Sequence, residues 1–75
     1  MEDKLKDFFE IEFNYVARDL TNELGVIARE MIYHDAIERA FGAFQLAMIC
    51  GMKFRDVERM YEEYKINLEV LKNEM

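Results

Sequence analysis

Proline and tryptophan are absent from this sequence, cysteine occurs once and glycine three times in 75 residues. Without proline, nothing interrupts a helix by removing an N–H or by clashing with the preceding turn. A single cysteine excludes a disulfide scaffold, because it has no partner within the chain. A reducing, cytoplasmic setting is therefore expected. No run of about eighteen apolar residues passes without a charge, so no membrane-spanning helix is expected. The opening Met1-Glu2-Asp3 is acidic where a secretory leader is basic, and no leader is expected. Positive charge is also scarce: ten Lys and Arg face sixteen Asp and Glu, a net charge of −6. Residues 1–34 carry four basic and eight acidic side chains, and residues 35–75 carry six and eight, so neither end forms a charged tail. This balance opposes plain phosphate-backbone binding, in which basic side chains displace counterions.

What is abundant is apolar. Hydrophobic residues make up 52% of the chain, including six Phe and four Tyr, which excludes disorder. Residues 1–75 are read as one domain. A domain of this size buries only about 60% of the surface that its unfolded chain exposes. Such a core rarely supplies more than about 3–5 kcal/mol without a disulfide, a metal or a partner. The cysteine count removes the first of these and leaves the other two as the questions to ask.

The patterning predicts an all-α fold. Leu5, Phe9, Phe13, Val16, Leu20, Leu24, Ile27 and Met31 recur at spacings of three and four, the period of one helical face. One helix from about residue 3 to 33 would satisfy this. A break near Thr21-Asn22 is favoured, because both are capping residues and Gly25 weakens the helix just beyond. Asp35 with Glu38 three residues later resembles a capping box, so a helix starts there or passes through. Cys50-Gly51-Met52 reads as a helix end, with Gly51 as the left-handed cap and Met52 as its hydrophobic follower. Ala36, Ala40, Ala43, Ala47 and Cys50 form a small-residue stripe beside the bulky Ile37, Phe41, Phe44 and Met48. A helix apolar most of the way round is expected to be the buried, central one, with Cys50 in the core. From about Phe54, the residues Val57, Tyr61, Tyr64, Leu68, Leu71 and Met75 form a heptad seam. The expectation is a bundle of three helices, or four if the first stretch breaks.

Each helix also carries apolar residues away from its main face. Phe8, Ile11 and Tyr15 form a second stripe on the first helix, Leu46 and Ile49 on the middle one, and Ile66 and Val70 on the last. Single exposed apolar residues are ordinary, but contiguous apolar patches mark contacts with partners. These seven residues are the candidate oligomer interface. A homodimer is the expected assembly, since two-fold dimers are the commonest closed form.

Residues 46–60 resemble the DNA-binding helix-turn-helix pattern. Ala47 stands at the helix contact, Gly51 at the turn, Met52 as its plug, and Val57 and Met60 on the inner face of the second helix. The resemblance covers a fifth of the chain, and any helix–Gly–helix corner needs similar residues. It implies Lys53, Arg55 and Arg59 as nucleic-acid contacts. Asp56, Glu58, Glu62 and Glu63 lie among them and would oppose phosphates, so nucleic acid is not the expected partner.

Glu30, His34 and Glu38 recur every four residues and would share one side of a continuous helix, which raises the question of a metal. A solvated polar stripe, which helical spacing of charges gives by itself, is the expected reading, and no metal or cofactor is assigned. Cys50 has no His within helical reach, and no phosphate-cradling loop or nucleophile motif occurs. No catalytic residue is assigned, and the chain is not expected to be an enzyme. The sequence therefore points to a small acidic, cytoplasmic interaction module that self-associates in an accessory or regulatory role. A DNA-binding regulator using residues 46–60 is the alternative, and a metal-dependent enzyme a further one.

Overall fold

Helix α1 spans Glu2–Asn22, α2 spans Val26–Ile49 and α3 spans Phe54–Glu74. These elements come from a computed structural model that describes residues 2–23 and 25–74; Leu24 and Met75, both read above as apolar positions, lie outside the described residues. Each helix packs against both of the others in a bundle measuring 40 × 17 × 15 Å.

The first stretch breaks within a few residues of Thr21-Asn22, though not by the route expected. Thr21 does not cap a following helix; its Oγ1 donates to the carbonyl of Ala17 at 2.7 Å, and so it closes α1. Gly25 is the residue that opens α2. Its backbone is extended (φ −78°, ψ 129°), its N–H donates to Glu23 Oε1 at 3.1 Å, and its carbonyl accepts from the Arg29 N–H at 3.0 Å.

From there α2 runs unbroken through His34 and Asp35. Of the two readings of Asp35, the helix passes through: that carboxylate accepts from Arg39 one turn on, within a helix already formed. The register is also reset across the turn. Ile27 and Met31, read as continuing the face of α1, are exposed. The inward face of α2 is instead Tyr33, Ala36, Ala40 and Ala47. Ile27 lies about two-thirds of a turn away from Tyr33 on that helix, hence on its outer side.

The core is built from one stripe per helix. Phe9, Val16 and Leu20 come from α1, and Val57, Tyr64 and Leu68 from α3. The alanines of α2 let both neighbours approach closely. Beside them, Phe44 meets Tyr61 at 5.5 Å and Phe54 at 5.9 Å between ring centroids, and Phe41 meets Tyr61 at 6.1 Å. These rings join α2 to α3. Three mutually touching helices have no centre, so α2 is a corner of a triangle and not the buried central helix expected. Its flank bearing Gly42, Leu46 and Ile49 is exposed.

The end of α2 follows the expectation at Gly51. That residue has φ +87°, the Gly51 N–H donates to the Met48 carbonyl at 3.0 Å, and the Met52 N–H donates to the Ala47 carbonyl at 3.1 Å. This pair of bonds is the Schellman motif. Cys50, expected in the core, is exposed. It is the cap residue itself, and the chain leaves the bundle there before it can turn a side chain inward.

Candidate interaction surface

The candidate interface residues do not gather in one place. On α1, Lys4, Leu5, Phe8 and Glu12 line a groove of about 580 Å³, whose other wall is the α2 flank from Arg39 to Cys50. Ile11, two residues from the buried Phe9, faces outward on α1, while Tyr15, seven residues beyond Phe8, shares the Phe8 flank. They are 55% and 62% exposed. Leu46 stands in the α2 wall, and Ile49, 82% exposed, follows it one turn on. Of the seven residues, Phe8 and Leu46 face each other across this groove and Tyr15 flanks it, whereas Ile49, two residues from the buried Ala47, lies on the outer face of α2 as Ile11 does on α1. Ile66 and Val70 lie away from the groove as well. Each lies two residues from the fully buried Leu68, about 200° around α3, on the outer face of that helix.

Three features of the α1–α2 side were not foreseen. The first is an ion pair between the two helices, with Arg39 Nε 3.6 Å from Glu12 Oε2. Arg39 also donates to Asp35. The second lies beneath that pair. Tyr64 reaches up from α3 and is only 4% exposed, with its ring 5.4 Å from that of Phe9, yet its hydroxyl has no hydrogen-bond partner among the described residues. Burial pushes this phenol up to about 12, the Glu12 carboxylate adds to the rise and the Arg39 guanidinium opposes it. The hydroxyl thus lies within electrostatic reach of both charges. The third is Gly42, in the middle of α2 and in the groove wall. A Cβ added there would meet nothing within 4 Å. A glycine inside a helix costs about 0.5–1 kcal/mol relative to alanine, and no neighbour within this chain requires it. The inter-helix pair left no mark in the sequence, because it depends on which flanks meet.

The basic residues of the helix-turn-helix resemblance, Lys53, Arg55 and Arg59, are all exposed around the start of α3. They do not form an acid-free surface, since Arg59 Nη2 is 3.3 Å from Asp56 Oδ1. Of the polar stripe on α2, His34 Nε2 lies 3.5 Å from Glu30 Oε2, while Glu30 Oε1 accepts from Lys72 of α3 at 2.9 Å. That hydrogen bond holds the Glu30 carboxyl below, and the Lys72 ammonium above, its ordinary range. Among the described residues, no group of three His, Cys, Asp or Glu is placed to hold a metal ion. No helix among them is long and apolar enough to cross a membrane. Comparison with protein families, curated proteins and solved structures finds no match to this chain.

Proposed function

We propose that this chain is a small acidic protein–protein interaction module that self-associates and serves an accessory or regulatory role. The observation that carries this is an excess of exposed apolar surface. Among the described residues, large apolar side chains that are exposed outnumber those that are buried. The molecule exposes 5426 Å², whereas surface scaling gives roughly 4,850 Å² for a folded 9.0 kDa monomer. The surplus fits a body whose apolar sides are covered by another protein. With one unpaired cysteine, the module suits a reducing cytosol. Its test is the native mass by sedimentation at micromolar concentration. A mass above one chain is expected, and a mass of one chain refutes self-association.

A further inference from the structure

We infer that Glu12 is a two-position latch: its carboxylate rests beside Arg39 of α2 in this structure, and turns inward to accept the Tyr64 hydroxyl of α3 when Arg39 releases it. A surface arginine thereby decides whether a buried hydroxyl has a partner. This inference does not depend on self-association. Three observations carry it.

The first is the stranded donor. The Tyr64 hydroxyl is buried and has no hydrogen-bond partner among the described residues. An enclosed O–H without an acceptor keeps its full desolvation penalty, so an acceptor that comes within reach of it is favoured.

The second is the place of the acceptor. The Tyr64 ring lies 5.4 Å from that of Phe9 and 6.5 Å from that of Phe13, one turn apart on α1. Glu12 stands three residues beyond Phe9 and one before Phe13, so it belongs to the same turn, at the edge where α1 meets the groove with α2. Its carboxylate is carried on three rotatable bonds and swings between rotamers with no change in the backbone. Glu12 raises the phenol pKa and Arg39 opposes the rise, as charges close to the hydroxyl must.

The third is the hold on that carboxylate. Arg39 Nε is 3.6 Å from Glu12 Oε2, an ion pair longer than a hydrogen bond. The same guanidinium donates its hydrogen bond to Asp35. One arginine is thus divided between two carboxylates, and Asp35 has the shorter contact. The Arg39 side chain is 49% exposed, and solvent weakens a pair of that kind. Against release stands the cost of carrying a carboxylate inward. In the outer position Glu12 ties α1 to α2, and in the inner position it ties α1 to α3.

The experiment introduces Tyr64→Phe into three backgrounds of the full chain: the parent, Arg39→Met, and Arg39→Met with Glu12→Ala. Urea midpoints are read at one chain concentration, with circular dichroism as the check on folding. In the parent, Tyr64→Phe should raise the midpoint, because the hydroxyl it deletes is unpaired. In Arg39→Met the carboxylate turns inward, so Tyr64→Phe removes a formed bond and should lower the midpoint. With Glu12→Ala added no acceptor remains, and Tyr64→Phe should raise the midpoint again. A shift of the same sign in the parent and in Arg39→Met would overturn the latch. A reversal that survives Glu12→Ala would assign the hydroxyl to another acceptor and overturn the role of Glu12. A parent in which Tyr64→Phe already lowers the midpoint would mean that the hydroxyl is paired at rest, which also overturns the proposal. If Arg39→Met loses its helical spectrum, Arg39→Gln replaces it with the same outcomes.

Discussion

The ammonium of Lys72 donates to the Glu30 carboxylate at 2.9 Å, joining the last turn of α3 to the first turns of α2. The same ammonium sits 4.4 Å from the centroid of the Tyr33 ring. Removing the charge by Lys72→Met keeps the stem over Tyr33 and should lower the melting temperature, more at low salt than at high salt. The pH dependence has two arms. Because the Glu30 pKa is lowered in the fold, its contribution is present above the ordinary carboxylate value of 4.5 and is lost as the carboxyl protonates below it. Because the Lys72 pKa is raised, its contribution is present below 10.5 and fades as the ammonium deprotonates above it. Melting curves across pH for parent and variant should differ between these limits and converge outside them.

Tyr64→Phe should make the protein more stable. The hydroxyl is buried without a partner, and deleting such a group relieves a desolvation penalty of about 1–3 kcal/mol. The variant should also change the alkaline limb. The folded phenol titrates near 12 and the unfolded one near 10, so the parent loses stability as pH rises from about 10 to about 12. Urea midpoints at about pH 8, 10 and 11 would show this loss in the parent and a shallower one in Tyr64→Phe. An identical slope in both proteins would refute the assignment.

Gly51→Ala should cost about 1–2 kcal/mol, although its Cβ has open space around it. The cost is conformational, because φ of +87° is unfavourable for any side chain. Gly51→Val should be worse, since branching at Cβ narrows the choice further. Gly51→Asn, which tolerates this region better, should fall between parent and Ala. Chemical denaturation ranks the four, and any other order would argue against the cap.

Ala36→Leu should destabilise by about 1–3 kcal/mol, because Ala36 is wholly buried where α2 meets its neighbours and extra volume forces them apart. Ala43→Leu, at the half-buried edge that lines the groove, should be milder. Thermal melts of the two variants side by side test whether the seam is tight at Ala36 and looser at Ala43.

Lys53→Ala with Arg55→Ala and Arg59→Ala should leave stability nearly unchanged, as exposed charges contribute little. The parent should show no sequence-selective shift with duplex DNA at physiological salt. A shift that weakens steeply with salt and vanishes in the triple variant would instead promote the helix-turn-helix reading.

The ends of the helices were legible wherever a backbone device fixes them. Gly51 had to end α2, since an αL residue followed by Met52 has few other uses, and Gly25 marked the break after α1. The interior of α2 was harder. Asp35 and Glu38 carry the chemistry of a helix start, but a helix begun at Gly25 leaves no free N–H groups at that point for them to cap. Ile27 and Met31 kept the spacing of α1 by coincidence, and only the end of α1 at Asn22 and the new start of α2 at Val26 change the phase. Periodicity put Phe8, Ile11 and Tyr15 off the main face, yet the placing of Phe8 across a groove from Leu46 depends on two helices lying antiparallel. The Glu12–Arg39 pair and the stranded Tyr64 hydroxyl arise from the third dimension and leave no local mark.

The two connections of the bundle are Glu23–Gly25 and Cys50–Lys53, three and four residues long. Joining neighbours in sequence through such short turns gives a low contact order, and chains of this kind fold in microseconds to milliseconds. A small core then implies fast opening as well, so the native form visits open states often and recloses quickly. In that regime, exposure to proteases follows the equilibrium population of open chains and not the height of a barrier. Anything that binds only the folded form lowers that population by mass action. On the self-associating reading proposed above, the cellular lifetime of this protein would rise with its own concentration, and each chain would last longer the more of its copies surround it.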